Sequence, residues 1–104
     1  MIRIQVVKNN NLIKKITIKG HANYEEYGKD IVCAAVSATY LCTVNACISI
    51  NKNSLEVLSM ENIQEIIVVQ EDDIIQKLLE NMIRCLTSLQ EQYPKNIKLD
   101  KEEK

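Results

Sequence analysis

The chain has 104 residues, of which 46% are hydrophobic and 26% are charged, and its formal net charge is −1. A chain of this size has enough surface for one hydrophobic core, so we assign residues 1–104 to a single folded domain. The near-neutral charge and the lack of Trp and Phe argue against a nucleic-acid partner, which requires basic surface and stacking aromatic rings.

The first part of the chain predicts a β-hairpin. Hydrophobic side chains alternate with polar ones over Met1–Val7 and again over Leu12–Lys19, which is the period of a half-buried strand. Asn9–Asn11 supplies the turn, because Asn tolerates left-handed backbone. The non-periodic segment 21–29 that follows is a loop, and it is longer than the usual connection of about four to six residues.

Asp30 is predicted to cap a helix over Ile31–Ile50. This helix is apolar nearly all round, so we expect the sheet to cover one side and a second helix or another subunit to cover the other. The stretch is long enough to cross a bilayer. We nevertheless predict no membrane partner, since polar side chains interrupt the stretch at Ser37, Thr39, Thr43, Asn45 and Ser49.

The second half predicts two more strands, a helix and a short last strand. Strands are expected over Ser54–Met60 and Ile63–Val69, the latter central in the sheet because of its β-branched run. Acidic residues 71–73 suit the start of a helix that continues through Gln90. Residues 96–99 add a short strand, and 100–104 are expected to be a solvated tail. The order ββαββαβ is an α+β fold of two layers, with a mainly antiparallel sheet and two helices on one face.

The four cysteines, at positions 33, 42, 47 and 85, include no CxxC pair. Three of them fall in apolar helical patterns, where a reduced cysteine behaves as a small core hydrophobe. No signal-peptide layout is visible, so we expect a cytoplasmic protein without a disulfide framework. The ligand spacing predicts no metal site, and we expect no cofactor.

The residues suited to chemistry are concentrated between positions 20 and 38. His21 is the only histidine, and the two glycines are Gly20 and Gly28. Cys33 falls in the first helical turn, where the helix N-terminus favours a thiolate, although Asp30 opposes a second negative charge. A thiol with a base in reach is the minimal unit of covalent catalysis.

Each of these residues also has a plain structural explanation. Cys33 is explained as a packed small side chain, His21 as a turn residue and Asp30 as a cap alone. The two glycines are explained by positive φ angles. Spacing alone leaves the catalytic and structural interpretations about evenly matched.

The run GHANYEEYGKDIVCAAVSA, residues 20–38, closely resembles the signature of the ribosomal-processing cysteine protease (Prp) family. Its shared features are Gly-His, eleven residues between the histidine and the cysteine, and then Gly-x-Asp-Ile-Val-Cys-Ala-Ala-Val-Ser. The similarity continues through TVNA at positions 43–46, the second helix and the Tyr93-Pro94 pair. It therefore covers nearly the whole chain.

The resemblance implies a homodimeric enzyme that removes a short N-terminal extension from large-subunit ribosomal protein L twenty-seven. Carried over by motif position, Cys33 is the nucleophile and His21 the general base, while Asp30 and Ser37 have supporting roles. The loop from Gly20 to Gly28 would be a mobile lid hinged at its two glycines.

Two further expectations follow from the chemistry of such a site. Backbone amides at the start of the helix are candidates to hold the oxyanion. A thiol-reactive probe at neutral pH should label Cys33 in preference to the other three cysteines. The competing hypothesis is a non-catalytic ribosome-assembly or ligand-binding module of the same fold, in which Cys33 is merely buried.

Overall fold

A computed structural model of the chain describes residues 1–26 and 29–104. These residues form one mixed sheet of strand order β3-β4-β2-β1-β5 together with two helices. β1 and β5 are parallel, and the other neighbouring strands are antiparallel. The α+β order ββαββαβ is therefore confirmed, with β1 (Ile2–Asn9), β2 (Leu12–Lys19), α1 (Ile31–Ile50), β3 (Leu55–Met60), β4 (Ile63–Val68), α2 (Asp73–Gln92) and β5 (Ile97–Glu103).

The hairpin β1–β2 supplies the middle of the core. Its register pairs Ile4 with Ile18 and Val6 with Ile16, and all four side chains are buried. Because side chains alternate between the two faces of a strand, the intervening polar residues lie on the opposite face. The alternation in the sequence thus locates the core face correctly.

The central strand is β2, which corrects the prediction that Ile63–Val69 would be central. β2 lies between β4 and β1, whereas β4 has only the edge strand β3 beyond it. Ile66 is buried, but its neighbour Ile67 is only half-buried. The β-branched run therefore marks a strand, but it does not mark one that is covered on both faces.

Most of residues 100–104, which the sequence predicts to be a solvated tail, instead belong to strand β5. β5 continues to Glu103, and Asp100 and Lys101 pair with Gln5 and Val6 of β1. The side chains of this part of β5 remain exposed. The pairing is made by backbone groups, which every residue carries regardless of its side chain, so charged residues are tolerated on this edge strand.

The two helices pack against each other and on the core face of the sheet. Each begins with an aspartate cap: Asp30 accepts hydrogen bonds from two amides of α1, and Asp72 does the same for α2. The Asp30 cap is as predicted, while the sequence places acidic residues 71–73 at the start of α2 without identifying which of them caps it. α2 ends at Gln92, followed by Tyr93 as its C-terminal cap.

α1 presents a chargeless face to solvent. Its buried side chains form one stripe, Val32, Val36, Tyr40, Val44 and Cys47. On the other side, Leu41 is 53% exposed, so α2, which packs against α1 as the sequence predicts, leaves part of this apolar helix uncovered. By length and composition alone α1 is also apolar enough to cross a membrane, a test that core helices of soluble proteins pass as well.

All four cysteines are free thiols. Only Cys47 lies in the core, whereas Cys42 and Cys85 are exposed, which corrects their assignment as core residues. For Cys42 the error arises because α1 has no charged residue to mark its solvent side, so its sequence does not distinguish the buried face from the exposed one.

Candidate active site

An open cavity of about 730 Å³ lies where the loop after β2 meets the first turn of α1. This volume is in the range of small-ligand and peptide pockets. The cavity brings together Gly20, His21, Asp30, Cys33 and Ser37, which are the described residues that the sequence singles out. Apolar side chains form part of its wall, namely Ile2, Ile18, Ala34 and Val36.

Cys33 is half-buried in the first turn of α1 and is placed there by the capped helix start. Its Sγ accepts a hydrogen bond from the amide of Ala22 at 3.3 Å. Burial raises the pKa of the Cys33 thiol, and the adjacent charge of Asp30 raises it further, while the Ala22 amide acts in the opposite direction. In this resting arrangement the thiol is therefore predominantly protonated at neutral pH.

The Asp30 carboxylate joins the helix to the loop. Oδ1 accepts from the amides of Val32 and Cys33 at 3.0 and 2.9 Å, and Oδ2 accepts from the amide of Tyr24 at 3.0 Å and of Glu25 at 3.4 Å. Burial alone raises the pKa of Asp30, but these amide hydrogen bonds outweigh it and hold the pKa below its ordinary value. Asp30 thus caps α1 and also links the helix start to the loop through a charged carboxylate.

His21 is exposed at the rim of the same cavity. Among the described residues, the hydrogen bond that reaches Cys33 Sγ comes from the neighbouring Ala22 amide and not from the imidazole. The structure therefore brings the histidine and the thiol to one cavity without a hydrogen bond between them. Their roles as base and nucleophile remain predictions.

The residue next to His21 is firmly anchored. Ala22 is 1% exposed, and its carbonyl accepts a hydrogen bond from Asn96 Nδ2 at 2.9 Å. Two residues further on, the Tyr24 ring meets the Tyr93 ring edge to face with centroids 5.4 Å apart. The turn between α2 and β5 therefore holds the His21 segment at two points.

Gly20 has φ +91°, and a Cβ placed there would approach the Met1 carbonyl oxygen to 2.6 Å. A close backbone approach therefore requires this glycine whether or not it acts as a hinge. Gly28, the second predicted hinge, lies outside the described residues, so the lid remains a prediction. Ser37 is exposed, one turn beyond Cys33 on the cavity wall.

The helix start offers less oxyanion binding than the sequence suggests. The amides of Val32 and Cys33 already donate to Asp30 Oδ1, so two of the candidate donors are occupied in this state. The Ala22 amide, which points at Sγ, is a donor that the sequence analysis missed.

Other cavity residues also escaped the sequence analysis. Polar side chains from two separate segments line the wall: Asn23, Glu25, Asn62 and Gln64. Asn62 has φ +64° in the β3–β4 turn, and its carbonyl accepts the Gly20 amide at 2.9 Å. Sequence reasoning identified that turn but had no means of placing it beside the loop.

No group of three or more His, Cys, Asp or Glu side chains in residues 1–26 and 29–104 is arranged to hold a metal ion.

Comparisons with known proteins agree with one another. The sequence profile of the family described as cysteine protease Prp matches residues 1–98. The ribosomal processing cysteine protease Prp of Staphylococcus aureus is 31% identical over 104 residues, covering 96% of this chain and 98% of the relative.

Two crystal structures of that Staphylococcus aureus protease have the same fold. The one in complex with a covalently linked product peptide superimposes with a TM-score of 0.94 at 30% identity, covering 98% of this chain and all of the other, at 100%. The one in complex with a substrate peptide gives 0.87 at 29% identity, with 98% and 100% coverage. On this sequence and structural similarity, the chain belongs to the Prp family of cysteine proteases.

Proposed function

We propose that this protease removes the N-terminal extension of ribosomal protein L twenty-seven, with Cys33 as nucleophile and His21 as general base. One observation carries the assignment of roles: Cys33 and His21 line the same cavity. The other three cysteines are not among the described residues of its wall. The substrate is proposed from the resemblance and from the relative's designation as a ribosomal processing protease.

The proposed reaction is acyl transfer to sulfur and then to water. His21 takes the thiol proton while Cys33 Sγ forms a bond to the carbonyl carbon of the scissile peptide. The carbon–nitrogen bond then breaks, and the imidazolium gives its proton to the leaving amine. A water molecule, deprotonated by His21, attacks the thioester. The carbon–sulfur bond breaks, the imidazolium returns its proton to sulfur, and the new carboxylic acid leaves and gives its own proton to solvent.

The resting site requires a change before this chemistry begins. Burial and the Asp30 charge raise the pKa of Cys33, and His21 is exposed at the rim. We propose that a bound peptide covers the cavity and brings the imidazole to Sγ, so that the thiolate forms only with substrate present. The apolar wall suits an extended, mainly apolar peptide segment.

The test is cleavage of a synthetic peptide that spans the junction between the extension and the mature protein, followed by mass spectrometry. Wild type should cut at the junction, while Cys33→Ala and His21→Gln should lose at least about a hundredfold in kcat, as expected for loss of nucleophile or base. Cys85→Ala is the matched control, because this thiol is exposed on α2 and is not among the described residues of the cavity wall.

If wild type leaves the peptide intact, the proposed substrate is wrong. Full cleavage by Cys33→Ala would exclude the proposed nucleophile. Binding of the peptide without cleavage would favour the non-catalytic ribosome-assembly alternative.

We also propose that the enzyme acts as a homodimer through the exposed face of α1. No charged residue occurs in Ile31–Ile50, and large apolar side chains on this helix remain exposed, namely Ile31, Leu41, Ile48 and Ile50. Ala34 lines the cavity on the same helix, so a second copy packed here would lie beside the active site. An exposed apolar surface of this kind is typical of an interface.

Sedimentation at micromolar concentration tests the interface. Leu41→Lys should shift wild-type dimer to monomer, because it introduces a charge into an apolar contact. Ile74→Lys, at a side chain 55% exposed on α2, should leave the dimer intact. A monomeric wild type, or equal dissociation by both variants, would contradict this interface. We expect the enzyme to act in the cytoplasm, where its free thiols stay reduced.

A further inference from the structure

We propose that Asn96 is a positioning residue of the protease, which fixes the backbone that presents the Ala22 amide to Cys33 and from which His21 projects. The inference deepens the proposed function and rests on its assignment of Cys33 and His21. It follows from a chain of two hydrogen bonds: Asn96 Nδ2 donates to the Ala22 carbonyl at 2.9 Å, and the Ala22 amide donates to Cys33 Sγ at 3.3 Å.

Asn96 is itself held firmly enough to act as an anchor. Its amide donates to the Tyr93 carbonyl at 2.9 Å, and its carbonyl accepts the Ile2 amide at 2.8 Å. Asn96 therefore lies in a fixed turn between the end of α2 and the start of β5. A side chain projecting from such a turn holds its partner more precisely than one in a free loop.

Ala22, the residue that Asn96 anchors, is also held in place by contacts of its other groups. Ala22 is almost fully buried, so its methyl group, carbonyl and amide each have a fixed neighbour. His21 directly precedes it in the chain, and the direction in which the imidazole leaves the backbone depends on the orientation of Ala22. Loss of the Asn96 bond would leave the Ala22 carbonyl without its partner and free the segment to reorient.

Asn96 is not among the described residues that line the cavity. It therefore acts on the reacting groups through Ala22, and we expect no contact with bound peptide. This arrangement predicts a change in kcat with little change in KM. It also predicts a shift of the thiol titration, because the Ala22 amide favours the thiolate.

The experiment compares Asn96→Ala, Asn96→Asp and Asn96→Gln in the junction-peptide assay. The alanine and aspartate variants cannot donate to the Ala22 carbonyl, and each should lower kcat by about three- to tenfold with KM within about twofold, the scale of one lost hydrogen bond. Asn96→Gln keeps a donor and should recover part of the loss. In both donor-free variants the acid limb of the kcat/KM profile should move to higher pH.

Gln90→Ala is the matched control. Its Oε1 accepts the Leu99 amide at 2.6 Å, so it also ties α2 to β5 without reaching Ala22. This variant should lose stability but keep kcat and the pH profile. If Gln90→Ala reproduces the kinetic loss, or if Asn96→Asp folds and retains wild-type kcat and pH profile, Asn96 has only a structural role and the proposal is overturned.

A second readout separates this proposal from the substrate assignment. The rate at which iodoacetamide alkylates Cys33, followed by peptide mass spectrometry across pH, requires no cleavage. If wild type fails to cut the peptide, the L twenty-seven assignment fails. A higher alkylation midpoint in Asn96→Asp than in wild type would still support the anchor, and an unchanged midpoint would contradict it.

Discussion

Asp30 both supports and restrains Cys33. The carboxylate accepts the Cys33 amide at 2.9 Å and so fixes the helix turn that carries the thiol. Its negative charge also raises the pKa of that thiol, in addition to the larger effect of burial. The residue that positions the proposed nucleophile therefore also raises the pKa of its thiol.

Asp30→Asn should separate these two effects. Asn caps helices about as well as Asp, while the charge beside the thiol is removed. We expect the pKa of Cys33 to fall, measured from the pH dependence of alkylation at that residue. Asp72→Asn, which changes the equivalent cap of α2, should leave the titration of Cys33 unchanged. An unaltered titration in Asp30→Asn would show that burial alone sets the pKa.

The pH dependence of stability should carry the signature of Asp30. Its pKa is lowered in the folded state, so its stabilising contribution is fully present above the ordinary carboxyl pKa of about 4 and is lost as the pH falls through the lower folded-state value. Urea unfolding at a series of acidic pH values should show wild type losing more stability than Asp30→Asn. Parallel curves for the two proteins would contradict this assignment.

Alkylation of the free enzyme should begin at an exposed cysteine. Cys42 and Cys85 are exposed, whereas Cys33 is half-buried and has a raised pKa. Cys42 lies on the α1 face proposed as the dimer interface, so the comparison uses Cys85. At neutral pH, iodoacetamide should label Cys85 ahead of Cys33, which reverses the expectation from the sequence. Peptide-level mass spectrometry measures the order. Fastest labelling at Cys33 without peptide would show that His21 already ionises it in the resting enzyme.

Gln76 should be the polar residue whose loss most weakens the contact between α2 and β2. This side chain is buried, and its amide makes two hydrogen bonds of 2.9 Å with the backbone amide and carbonyl of Ile13. Gln76→Met fills similar space but leaves both buried groups unpaired, at a cost of about 1–3 kcal/mol. Urea unfolding should show that loss, while Gln92→Met at an exposed position should stay within about 0.5 kcal/mol of wild type.

The sequence predicts where the strands and helices of this fold lie better than it predicts which strands pair and which side chains are exposed. Alternation located β1 and β2, the Asp30 cap marked the start of α1, and the acidic run 71–73 marked the start of α2, because those signals are local. The strand character of Asp100–Glu103 was missed because the pairing with β1 uses backbone groups and leaves the charged side chains in water. Exposure of Cys42 was missed because no charge marks the outer side of α1.

Residues of the candidate site that are close together in sequence were likewise predicted, while those that are distant in sequence were missed. His21, Asp30 and Cys33 are close in sequence and are the only such set, so composition and resemblance were enough to bring them forward. Asn96 lies 74 residues from Ala22 along the chain, and Asn62 reaches the cavity from another turn. No local sequence pattern reports contacts between residues so far apart in the chain, because these contacts depend on the order of the strands in the sheet.

The pairing of β5 with β1 has a consequence for when the enzyme becomes active. β1 gains its parallel neighbour, and Ala22 its anchor, only from residues 96–103. During synthesis the hairpin and α1 emerge first, while this segment is still inside the exit tunnel, and contacts between such distant parts of a chain form late. A nascent chain therefore carries the thiol and the imidazole before it has the contact from Asn96 that we propose orients them, and we expect it to become proteolytically competent only after residues 96–103 have left the tunnel.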